Sequence, residues 1–308
     1  MTVAAIDEAA RAAARDRLDG LAKPLGALGR LEELAVWLAG VQGTAYPEQP
    51  REVALVVFAG DHGVTTGPTA VSAYPRQVTA LMVREFLRGG AAVTVLARAN
   101  GARVRVLDLG VDDDLAGVPP EVGAHKVRRG SGAIDREDAL TEEQVESALA
   151  SGRAVADEEI DAGVDLLVPG DMGIGNTTVA ATLVGAQLGL RAAADHVRGT
   201  GVDDATLAAK RGVVDAAIDR AEPHRYDPVA LLRVAGSADL AAATGFLLRA
   251  SERGTPVLLD GVISGACALL AETQVEIEDR AEAERLEGEP VGGFGRTVPG
   301  APPRRGTR

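Results

Sequence analysis

The sequence predicts an α/β protein with a doubly wound, mostly parallel sheet and a small helical domain from its N-terminal region. Three observations carry this. Apolar, β-prone runs recur at 53–59, 104–109, 166–168 and 256–260. Helical stretches separate them, and no hairpin signal joins one run to the next. The runs are continuously apolar, as strands are when helices cover both faces of a parallel sheet. The pattern is Rossmann-like. Residues 1–45 read as the N-terminal part of the helical domain, 46–271 as the main domain, and 272–308 as an atypical, disordered tail.

In chain order, residues 5–22 read as an Ala/Arg-rich helix. A loop broken by Pro24, Gly26 and Gly29 follows, and a helix resumes over 31–41. Lys23 and Arg30 in that loop either hold an anion or are solvated surface charges. The first strand ends in Gly60-Asp-His-Gly63, at the carboxyl end where open α/β sheets place ligands. Asp61 and His62 either serve a ligand there or orient the turn. Residues 77–87 and 93–97 read as helical, and 104–109 as the second strand. Thr141 and Gln144 form a capping box that opens a helix over 141–163. Beyond the third strand come helices at 204–220, 228–251 and 264–271, with the last strand between the final two. Asp61, Asp108, Asp171 and Asp260 each follow or end a strand, so their carboxylates are expected to converge on one crevice.

The chain centres on the stretch from Asp165 to Leu183: a short strand, a turn with Gly170, Gly173 and Gly175, then Asn176-Thr-Thr178 opening a helix. Glycines let the backbone turn sharply and approach a ligand. A helix N-terminus with free N–H groups suits a phosphate. The bland alternative is an ordinary strand-to-helix turn, since many such turns bind nothing. No Lys follows the glycines as in a P-loop, and GxGxxG is absent, which counts against a dinucleotide-dependent oxidoreductase.

Composition narrows the classes further. With 308 residues and 46% hydrophobic content, the chain can bury one large core. Aromatics are only 3%, so Ala, Val and Leu must fill that core and little remains for stacking bases. A net charge of −13 argues against nucleic acid or anionic membranes as partners. The single cysteine, Cys267, lies in an apolar run and reads as core; with no apparent leader, a reducing, cytoplasmic setting is expected. No His/Cys/carboxylate spacing supports a metal site.

Six stretches in order resemble the nicotinate-nucleotide–dimethylbenzimidazole phosphoribosyltransferase family. They are Leu21-Ala-Lys-Pro-Leu-Gly-Ala-Leu-Gly-Arg-Leu-Glu32, Phe58-Ala-Gly-Asp-His-Gly-Val64, Val71-Ser-Ala-Tyr-Pro75, Gly170-Asp-Met-Gly-Ile-Gly-Asn-Thr-Thr178, Gly199-Thr-Gly201 and Pro256-Val-Leu-Leu-Asp-Gly261. The resemblance implies transfer of phosphoribosyl from nicotinate mononucleotide to 5,6-dimethylbenzimidazole. The products are α-ribazole 5′-phosphate, a precursor of the cobalamin lower ligand, and nicotinate. It implies no redox cofactor, no catalytic metal, and a homodimer.

Carried onto this chain, the resemblance gives Gly173, Gly175, Asn176, Thr177 and Thr178 to the nucleotide, with Gly199, Gly201 and Lys210 completing the phosphate site. Ser72, Tyr74 and Met82 line the benzimidazole pocket, and Asp171 stands where the family often has a glutamate near the ribose and incoming base. Asp61, His62 and Asp260 take structural or substrate-facing places. The family's C-terminal Arg-Leu-Gly-Glu-Gly-Thr-Gly-Ala, whose Glu is the general base, is not found; Arg285-Leu-Glu-Gly-Glu289 echoes it faintly. The resemblance therefore reads as ending after Ala271, with a truncated or altered C-terminus. The alternative function is a catalytically impaired protein that binds the nucleotide or an aromatic base.

Overall fold

The computed structural model of the chain describes residues 3–69, 71–191 and 203–288. Its sheet follows from the apolar runs. Strand β1 (Val53–Gly60) is central, flanked by β2 (Arg103–Gly110) and β3 (Leu166–Met172), all parallel. The chain leaves β1 on one side for β2 and returns on the other for β3. That reversal puts a topological switch point beside β1, at the carboxyl ends of the strands.

Successive side chains of a strand point to opposite faces. On β1, Val56 and Phe58 join the large core, while Val57 and Ala59 join a second one. The large core is closed by helices α5 (Glu142–Asp161), α6 (Asn176–Leu188), α8 (Pro228–Ala235), α9 (Ala238–Glu252) and α10 (Gly261–Gly288). The second core is closed by α3 (Val78–Arg88), through Ala80 and Val83. Helix α4 (Ala92–Ala99) precedes β2, and α7 (Asp204–Ala221) packs on α6 through Val214 and Ile218. Phe58 meets Phe246 of α9 edge to face, with centroids 5.4 Å apart.

Small residues replace the missing aromatics at the closest contact. A side chain at Gly152 of α5 would overlap the carbonyl oxygen of Ala242, and one at Gly245 of α9 would overlap that of Leu149. The two helices therefore touch backbone to backbone. At the N-terminus, α1 (Glu8–Asp19) and α2 (Arg30–Gln42) share a small core of Ala14, Leu18, Val36 and Ala39. Asp7 caps α1 by accepting from Ala10 N at 2.9 Å. The capping box of α5 forms, with Gln144 N donating to Thr141 Oγ1 and Thr141 N to Gln144 Oε1.

Three expectations are corrected. The strand at 256–260 is one parallel bridge, Leu167 to Val257, because Leu258 and Leu259 face solvent and bury nothing. The helix at 228–251 is two helices, since the chain turns out of helical conformation at Gly236 and Ser237. The last helix begins at Gly261 and runs to Gly288, so the part of the tail at 272–288 is helical rather than disordered. Among the described residues no helix is long and apolar enough to cross a membrane.

Candidate active site

The glycine-rich turn after β3 is shaped by what surrounds it. A Cβ on Gly173 would overlap the Gly60 carbonyl and stand 2.5 Å from His62 Nε2. Gly175 has φ +97°, a left-handed conformation that L side chains rarely adopt, and caps α6. Ile174 N donates to Thr79 Oγ1 at 3.1 Å, which pins the turn to the first turn of α3. The turn is thus locked against β1 below and α3 beside it.

Two titratable groups flank it. Asp171 is half-buried near the end of β3, in register with Phe58. Asn176 Nδ2 donates to its carboxylate at 2.5 Å. Loss of water around the carboxyl outweighs that bond and, with Asp239 adding repulsion, pushes its pKa up to about 7. On the other side Lys210 reaches in from α7, fully buried, and donates from Nζ to Thr177 Oγ1 at 2.8 Å. Burial pushes its ammonium down to about 8. The turn therefore carries a proton acceptor at one end and a phosphate-suited cation at the other.

The start of α6 corrects one expectation. Its first N–H groups are not free: Asn176 N bonds Gly173 O, Thr177 N bonds Asn176 Oδ1 at 2.7 Å, and Thr178 N bonds Gly175 O. An anion there would meet Lys210, the Thr177 hydroxyl and the helix dipole rather than bare amides. Asn176 is the first helical residue, after Gly175 as the cap.

The four acids at the strand ends do not all converge. Asp61 is buried, its Oδ2 accepts from Asp112 N at 2.9 Å, and burial raises its pKa. Asp108 is taken up by Lys126 Nζ at 2.7 Å and Val111 N at 2.8 Å. Asp260 is exposed, and its carbonyl accepts from Ser264 Oγ. Asp61 and Asp171 are instead joined by a residue the sequence reading missed. Asp239, in the first turn of α9, is 1% exposed, and repulsion from it raises the pKa of both. Its Oδ2 lies 3.5 Å from His62 Nε2, and neither of its oxygens accepts a hydrogen bond. The available signal was a lone acid inside the apolar run from Leu231 to Leu248.

Ser72 and Tyr74 lie in the loop before α3, with Tyr74 exposed and Tyr74 N donating to Ser72 Oγ. Met82, half-buried, lies on α3 three residues on from Thr79. Lys23 is paired with Glu32 at 2.8 Å and clasps its own loop rather than an anion. Gly199 and Gly201 lie outside the described residues.

The fold is that of an α/β protein with a glycine-rich turn at the switch point of a parallel sheet, where such sheets hold their ligands. A family model described as phosphoribosyltransferase matches residues 3–283. The chain is 55% identical over 273 residues to the nicotinate-nucleotide–dimethylbenzimidazole phosphoribosyltransferase of Mycolicibacterium paratuberculosis (strain ATCC BAA-968 / K-10), covering 88% of this chain and 76% of that protein. It is 54% identical to the protein of the same name from Mycobacterium tuberculosis (strain ATCC 25618 / H37Rv), covering 86% and 73%. A crystal structure of CobT from Thermus thermophilus superposes with a TM-score of 0.80 at 43% identity, covering 87% of this chain and 79% of that one. The chain belongs to the nicotinate-nucleotide–dimethylbenzimidazole phosphoribosyltransferase family. The match runs past Ala271 to residue 283, correcting where the sequence reading placed its end.

Proposed function

We propose that the chain transfers the phosphoribosyl group of nicotinate mononucleotide to 5,6-dimethylbenzimidazole, giving α-ribazole 5′-phosphate and nicotinate for the cobalamin lower ligand. The names of the relatives support this, and one observation carries it in the structure. The glycine turn separates Lys210 and Thr177 on one side from the Asp171 carboxyl on the other. A nucleotide phosphate belongs with the lysine. The reacting C1′ then falls towards Asp171.

The chemistry follows from that division. A benzimidazole nitrogen attacks C1′ as the bond from C1′ to the pyridinium nitrogen breaks, its electron pair neutralising the leaving nicotinate ring. Attack from the opposite face inverts the anomeric centre. The benzimidazole N–H proton leaves to the Asp171 carboxylate. A pyridinium departs readily, so the protein's work is to align the rings and take one proton. Gly173 and Gly175 let the turn pack against Gly60, His62 and Thr65, and Asn176 orients Asp171. Thr178, buried and without a hydrogen-bond partner at Oγ1, is a further donor towards the nucleotide. Ser72, Tyr74 and Met82 form the wall for the benzimidazole.

The reading extends to assembly and setting. Residues 1–45 serve as part of a small helical domain, and the active species is a homodimer in the cytoplasm. The single cysteine, Cys267, is buried in the core, and a chain without a disulfide framework suits a reducing compartment. Purified protein given both substrates should release nicotinate and a ribazole phosphate, resolved by chromatography. Calorimetric binding of the nucleotide without any product would overturn transfer and favour the impaired binding protein.

A further inference from the structure

We infer that Asp239, steadied by His62, is a positioning residue that makes Asp171 the acceptor of the proton lost by the incoming base. The inference rests on the transfer reading. It adds one residue that shares a cavity with Asp171 and one that backs it.

The geometry is that of a buried charge aimed at one target. Asp171 and Asp239 line the same small cavity, together with Gly170, Leu240, Ser264 and Cys267. Asp239 is 1% exposed, yet its two carboxylate oxygens accept no hydrogen bond. A buried carboxylate that accepts no hydrogen bond, with only the His62 ring at 3.5 Å beside it, is costly, so a fold that keeps one has a use for its field. Gly60 makes the room: a Cβ there would stand 2.6 Å from Asp239 Oδ1. Gly173 does the same for His62, whose Nε2 lies 3.5 Å from Asp239 Oδ2. Both glycines are thus fitted around the pair rather than around a ligand alone.

Among the described residues, these further groups face this centre. The β1 turn contributes Asp61 and His62, with Arg76 near Asp61. Helix α6 contributes Asn176, which bonds Asp171. Helix α10 contributes the Cys267 thiol, which donates to Leu240 O at 3.5 Å. Burial raises the Asp171 pKa most, the Asn176 bond opposes that rise, and Asp239 adds to it. Asp239 thus helps to keep a proton on Asp171 once it arrives. In the reaction the benzimidazole N–H bond breaks, its pair stays on the ring nitrogen, and an Asp171 oxygen gains the proton, which passes to solvent as product leaves.

The test is the pH dependence of kcat and kcat/KM for Asp239→Asn, Asp239→Ser and Asp239→Glu in the full chain. Removing the charge should move the acid limb to lower pH by about one unit. At neutral pH the weaker base is offset by its larger ionised fraction, so kcat should change by no more than about fivefold, with KM for the nucleotide held within about twofold. Asp239→Glu should restore the limb. A limb that stays in place in whichever neutral variant folds would overturn the inference, whatever the loss in rate. Titration of the Asp171 carboxyl by carbon-13 NMR, assigned with Asp171→Asn, reads the same shift without turnover. Wild-type protein that releases no nicotinate sinks the transfer reading instead, and the NMR shift still decides the coupling.

Discussion

Lys210 Nζ and Thr177 Oγ1 lie 2.8 Å apart at the start of α6, and the lysine is fully buried to make that contact. An ordinary lysine titrates near 10.5; the fall to about 8 corresponds to roughly 3 kcal/mol spent on keeping the charge out of water. A bound phosphate would relieve this strain, which a static core lysine could not. Lys210→Met should therefore melt a few degrees higher in the absence of ligand and bind nicotinate mononucleotide about 10- to 100-fold more weakly. Calorimetry and thermal melts check both halves. A lower melting temperature with unchanged nucleotide affinity would show that Lys210 serves the fold alone.

The same lysine sets a pH window. Its pKa is lowered on folding, so between pH 8 and 10.5 the unfolded chain holds a proton that the folded chain has released. Stability from this group must rise with pH across that window. Urea unfolding at about pH 8 and about pH 10 should show the gain in the wild type and not in Lys210→Met.

Asp171 has the opposite sign. Its pKa is raised from 3.8 to about 7, so between these values the folded chain holds a proton that the unfolded chain has lost. The contribution is fully present below about pH 4 and is lost as pH rises through about 7. Asp171→Asn should flatten this slope between about pH 4.5 and about pH 7.5 while abolishing transfer. An unchanged slope in urea titrations would place the raised pKa elsewhere.

Gly173→Ala should damage the site and the fold together. The new Cβ would overlap the Gly60 carbonyl and crowd His62, a clash worth about 1–3 kcal/mol. Activity should fall below detection before half of the stability is gone, since the turn carrying Asp171 must move. Retention of both would mean the turn is looser than its contacts.

Phe58→Ala is the contrasting case. It empties the edge-to-face contact with Phe246 and should cost about 3–5 kcal/mol, with little change in KM for either substrate. Substrate saturation curves and urea midpoints separate the two effects.

Much of this was legible in the sequence because it depends on local patterns. The strands at β1, β2 and β3 are continuous apolar runs, and the capping box of α5 is a four-residue signature. The glycine turn and Asp171 stood out from the local strand-turn-helix pattern, whereas their roles, and the lysine of α7, emerged through resemblance to a family. Three features were not legible. Asp239 reaches Asp171 only through the packing of α9 over β1, a contact between positions far apart in the chain. Asp108 looks like a site acid in sequence, but Lys126 folds back to neutralise it. The N–H groups of α6 look free by convention, yet Asn176 consumes one of them with its own side chain.

The backbone contact between α5 and α9 has a mechanical consequence. Asp239 begins α9, and Gly245 lies about 9 Å further along the same rod. A methyl group at Gly245 or Gly152 would wedge the two helices apart, and a stiff rod passes that displacement to its end. The two glycines act as the bearing surface of a lever whose tip is a carboxylate. Random mutagenesis scored by turnover should therefore return hits at Gly152 and Gly245, far from any substrate, alongside those in the crevice.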